Sequence, residues 1–155
     1  MTINERLTQK DPGNSEWQRN LSVSYGELAG LLKAQGNLAG ALAEFQKALA
    51  IRERLAARDP DNASWQSSLG GSHNQIGGVL EAQGNLAGAL AEFQKALAIR
   101  DRLGTRDPEN AGWQRELGVA RAYVASAELA LGNLKNRQSP ALSSDKHHSG
   151  PSRRR

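Results

Sequence analysis

A stretch of nineteen residues, AQGNLAGALAEFQKALAIR, stands at 34–52 and returns letter for letter at 82–100. The repetition reaches beyond it. Trp17, Trp65 and Trp113 are spaced by 48, as are Asn14, Asn62 and Asn110, the pairs Asp11-Pro12, Asp59-Pro60 and Asp107-Pro108, and the leucines Leu7, Leu55 and Leu103. A fixed period of this size marks a stacked array, in which one supersecondary unit buries its apolar face only against its neighbours.

The unit itself is helical. In its second half, Leu38, Leu42, Phe45 and Leu49 step by four, three and four with Ala41 and Ala48 beside them, one apolar stripe on a helix. Glu44, Gln46, Lys47, Arg52 and Glu53 are assigned to its polar faces. Ile51 and Leu55 lie off the stripe by about a third of a turn, which predicts a second buried edge facing the next unit. The helix is expected to stop before Asp59-Pro60, because a residue preceding proline is driven out of the helical region. In the first half, Trp17, Leu21, Tyr25, Leu28 and Leu32 form a second stripe, with Asn14 placed to cap its start and Gly36 to close its end. Each unit thus reads as two antiparallel helices of roughly 20 residues joined by a tight turn.

The run GLLKAQGNLAGALAEFQKALAI followed by DPDN resembles the helix-turn-helix signature of tetratricopeptide repeats, in the long-period form found in bacterial multidomain proteins. The resemblance places packing positions at Leu28, Ala29, Leu32, Gly36, Ala41, Phe45 and Ala48, then at Ile76, Gly77, Leu80, Gly84, Ala89, Phe93 and Ala96. The period exceeds the family's usual 34 residues by about two turns of each helix. The implied fold is an all-α solenoid, a right-handed superhelix of about two and a half repeats. It would occupy 1–134, with units at about 14–61, 62–109 and 110–134 and a partial helix at 4–10. The third unit keeps a first helix and the start of a turn, LGNLK, and then stops matching. With its partner helix missing, Val124, Ala127 and Leu131 are expected to lie uncovered. Both ends fit a piece of a longer array.

Charge is distributed unevenly. The net charge is +4, yet 1–134 holds 14 Lys and Arg against 15 Asp and Glu, and the whole basic excess falls in 135–155, expected to be a disordered tail. The body shows no basic stripe for a phosphate backbone, which argues against nucleic acid as the main partner. There is no cysteine, so thiolate catalysis and cysteine-ligated metals are excluded. Neither a membrane-length apolar run nor a signal core is found, and the expected setting is the cytoplasm.

No nucleophile with a base, P-loop, dinucleotide fingerprint or metal-ligand cluster is present, so neither an enzyme nor a cofactor is expected. His73, in the place of Tyr25, and the pair His147-His148 read as packing and tail residues. Trp17, Leu28, Phe45, Trp65, Ile76, Phe93 and Trp113 are assigned to the core. The resemblance implies a protein-interaction scaffold that takes a peptide or helix on an inner wall built by the first helices. Its residues would be Val23, Gly26, Glu27, Gly30 and Lys33, then Asn74, Gln75, Gly78 and Glu81, then Ala122, Tyr123 and Ser126. Two other readings stand beside it: self-association through the open ends, and an acidic or nucleic-acid partner on the tail.

Overall fold

The computed structural model describes residues 2–138. Six helices follow one another: α1 (Ile3–Lys10), α2 (Ser15–Ala34), α3 (Leu38–Arg58), α4 (Ala63–Ala82), α5 (Leu86–Arg106) and α6 (Ala111–Gln138). Each packs on the next in chain order, which makes an α-solenoid of helix pairs; α2 with α3 and α4 with α5 meet more extensively than α3 with α4.

The helix ends are written locally. Asn14, Asn62 and Asn110 each accept a hydrogen bond from the backbone N–H of the tryptophan three residues on. These side chains satisfy a donor the first helical turn leaves free. Asn37 and Asn85 do the same for Gly40 and Gly88 at the starts of α3 and α5. The turns between paired helices run through Gly36 and Gly84, with φ of +82° and +83°, a left-handed conformation that disfavours a side chain. Arg58 and Arg106 close the far ends of the pairs by donating to the carbonyls of Gly13 and Asp61.

The core forms at the seams between three successive helices. Ala29, Ala41, Phe45, Ile76 and Val79 join α2, α3 and α4, and Ala89, Phe93, Val124 and Ala127 join α5 to α6. Leu21, Ile51 and Leu55 make a third cluster, with Tyr25 and Trp65 packed against it, so the second buried edge of α3 does face the next unit.

Several expectations are corrected. Leu28 is 44% exposed, while Ile76, its equivalent one unit later, is 4% exposed. Ile76 lies against Phe45 of the preceding helix, whereas α1, only eight residues long, ends short of Leu28. Trp17, Trp65 and Trp113 are half-buried rather than central. The deepest positions of α2 are Ser22 and Ala29, because closely spaced helix axes admit small side chains at the point of contact and push large ones to its edges. Val124 and Ala127, expected to be uncovered, are buried against α5. Finally, α6, 28 residues long in all, does not turn at Gly132 but runs on to Gln138, into the stretch expected to be tail.

Candidate functional site

The wall assigned to the first helices borders two hollows, one at each seam. The first, about 60 Å³, is lined by Arg19, Ser22 and Val23 of α2, Arg52 and Leu55 of α3, and Trp65 and Ser68 of α4. The second, about 250 Å³, is lined by Asn74 of α4, Arg100 of α5, and Arg115, Glu116, Val119 and Tyr123 of α6. Arg52 and Arg100 are repeat equivalents, 48 residues apart.

Of the wall residues, Val23, Asn74 and Tyr123 line these hollows. Gly26 borders the first, since a side chain there would lie 3.7 Å from Arg52 Nη2. Lys33 reaches across to α4, its Nζ 3.3 Å from the position a Cβ on Gly78 would take. Glu27, Gly30, Gln75, Glu81, Ala122 and Ser126 are exposed and line neither hollow. The Tyr123 ring stacks on Phe93 at 5.1 Å and 14°, so one face of it is fixed by the core and the other is open. Asn74 Oδ1 is buried and accepts no hydrogen bond among the described residues.

The two arginines are the feature that sequence reading missed. Arg52 was assigned to a polar face, but it is half-buried; it donates from Nη1 to Ser72 Oγ at 2.7 Å and from Nε to Ser22 Oγ at 3.4 Å. Burial pulls its pKa below the ordinary guanidinium value. Arg100 is 7% exposed, donates to Ser67 Oγ at 2.7 Å and lies 2.6 Å from Glu116 Oε2. The Glu116 contact is close but off the N–H direction, so it acts as an ion pair rather than an aligned hydrogen bond. The visible signal was position: each arginine follows the isoleucine of the buried edge, at the same place in both units.

Between the paired helices a second polar position varies from unit to unit. Tyr25 donates to Glu5 Oε1 at 3.1 Å and lies under Lys47, whose Nζ is 5.4 Å from the ring centre. At the equivalent place His73, buried, has Nδ1 2.6 Å from Glu92 Oε2, and Lys95 holds the other carboxylate oxygen at 3.0 Å. Burial raises the Glu92 pKa, but the hydrogen bonds from His73 and Lys95 outweigh it and the net shift is downward. Sequence reading gave His73 a packing role alone; its carboxylate partner Glu92 comes from the facing helix, 19 residues on. Among the described residues no group of three or more His, Asp or Glu could hold a metal ion, and no helix is long and apolar enough to cross a membrane. His147-His148 and the terminal arginines lie outside the described residues.

Successive helix pairs at a fixed period, each packed on the next, define a helical-repeat protein. The chain belongs to the tetratricopeptide repeat family, whose model matches residues 21–61 and 71–109, the first and second pairs. Repeats of this family generally serve as protein–protein interaction modules. No curated protein matches the chain.

Proposed function

We propose that this array is a non-catalytic scaffold that binds an extended peptide or helix of another protein along the wall of α2, α4 and α6. The supporting observation is the recurrence of a hollow beside equivalent arginines at both seams, flanked by glycines that let a ligand backbone approach. A ligand following the wall meets an arginine at equivalent positions of both seams. Gly30 supplies the test: it is exposed and a Cβ there meets nothing within 4 Å, so Gly30→Trp adds bulk to the wall, with an unchanged melting temperature as the control for folding. Proteins retained by the wild-type chain, read by mass spectrometry, should be lost from a Gly30→Trp column. Retention of the same proteins by both would overturn the groove as the binding surface.

A second reading, self-association, is favoured by apolar residues at both ends. Leu28 and Leu31 are exposed on α2, and Leu129 on α6 is 67% exposed. Stacking of unlike ends is a head-to-tail contact, which extends rather than closes. Sedimentation at tens of micromolar should show a concentration-dependent mixture that Leu28→Glu with Leu31→Glu reduces to monomer. A concentration-independent monomer of the wild-type chain would rule this reading out.

A further inference from the structure

Leu28 and Leu31 are 44% and 56% exposed, whereas their equivalents 48 residues on, Ile76 and Val79, are 4% and 0% exposed. The later pair is covered by the first part of α3: Ala41 and Phe45 share a cluster with it, and Leu38, Leu42 and Leu49 pack against that cluster. At the first seam the preceding helix is α1, and it is seated in repeat register. Asn4 Nδ2 donates to Ser24 Oγ at 2.7 Å, as Arg52 Nη1 does to Ser72 Oγ at 2.7 Å. The Asp11 N–H donates to the Leu7 carbonyl, as that of Asp59 does to Leu55. So α1 stands for the last turns of a second helix, from the equivalent of Ile51 onward. Among the described residues no helix fills the positions equivalent to 38–50, and Leu28 and Leu31 are open there. A capping box at Thr2 closes the start of α1, which gives this open face a defined inner end.

We propose that the face takes one amphipathic helix of a partner protein, laid end to end with α1 so that it completes the first seam. The seam one unit later specifies the occupant, because the same positions there are already filled. In that seam Ala41 and Ala48 are fully buried and Phe45 is 4% exposed. The partner helix therefore carries a small residue, an aromatic one four places on and a second small one three further. Its small residues let the helix axes approach, and its ring packs on the ridge of Leu28 and Leu31. A second copy of the chain has no such stripe to offer: Ala41, Phe45, Ala48, Ala89, Phe93 and Ala96 are all buried in its own seams. Neither leucine lines a hollow of the wall, so this surface is separate from the groove proposed above.

A synthetic peptide of the chain's own residues 37–50, NLAGALAEFQKALA, blocked at both ends, carries the stripe and is the probe for the full chain. Its fluorescence anisotropy should rise saturably on titration, with helix gained by circular dichroism. Phe45→Ala in the peptide, or Leu28→Glu with Leu31→Glu in the protein, should weaken binding roughly tenfold or more. Both leucines are exposed, so the melting temperature of that protein should hold. Ala122→Trp, on the wall at α6, should leave the affinity unchanged. No binding by the wild-type chain, binding that persists in the folded double variant, or binding that falls with Ala122→Trp would overturn the proposal. A wild-type dimer that the same two substitutions reduce to monomer, and that excludes the peptide, would give the face to a second copy and overturn it as well. The groove reading is tested separately, at Gly30.

Discussion

Gly77 and Phe93 show how finely one contact is set. A Cβ on Gly77 would lie 2.5 Å and 2.7 Å from two carbons of the Phe93 ring, closer than real contacts allow, while the equivalent Ala29 is accommodated beside Phe45. Gly77→Ala should therefore destabilise by about 1–3 kcal/mol, overpacking outweighing the gain in helix propensity. Gly118→Ala, where nothing lies within 4 Å, should stabilise by roughly 0.5–1 kcal/mol. Paired thermal melts of the two variants check the opposite signs. At the His73–Glu92 contact the carboxylate's pKa in the folded chain lies below the ordinary glutamate value. A depressed carboxylate pKa contributes stability that is present above the unfolded value and lost as pH falls through the folded one. The stability difference between wild-type and Glu92→Gln protein should thus shrink as pH falls through the carboxylate's lowered pKa; a constant difference would show that the contact carries no such linkage.

At the scale of the element, helix ends were legible in sequence and helix neighbours were not. Asn14, Gly36 and Asp59 act within a few residues of themselves, so their roles could be read from spacing. The burial of Leu28 depends on a side chain from a preceding unit, and no local pattern reports it. The wall had the same limit: its glycines and Tyr123 could be placed by repeat register, but Arg52 and Arg100 enter from the second helices, and the wall had been assigned to the first helices alone. The missing turn at Gly132 has a related cause. Breaking a helix is offset only when the returning helix buries apolar residues, and the positions equivalent to Ala41 and Phe45 are Arg137 and Ala141. Without that burial the backbone keeps its helical hydrogen bonds and α6 runs on. Phe93, in contrast, sits among Gly77, Val124 and Tyr123, fully enclosed by three helices. Phe93→Ala should cost about 3–5 kcal/mol, and a denaturation midpoint unchanged from wild type would contradict its place in the core.

For the whole molecule, stability is shared unevenly along the array. The pairs α2 with α3 and α4 with α5 are the thick blocks, and the contact of α3 with α4 between them is thinner. Arrays of this kind hold together by unit and interface contributions that add along one dimension. Arg52, bridging Ser22 on one side to Ser72 on the other, is a polar tie across that thinner junction. Under tension applied through the two ends, such a chain behaves as two stiff blocks with a weaker hinge between them. Single-molecule stretching would lengthen it in steps, the junction parting before either block unravels, and removing the tie with Arg52→Ala would lower the force of the junction's step while leaving the others in place.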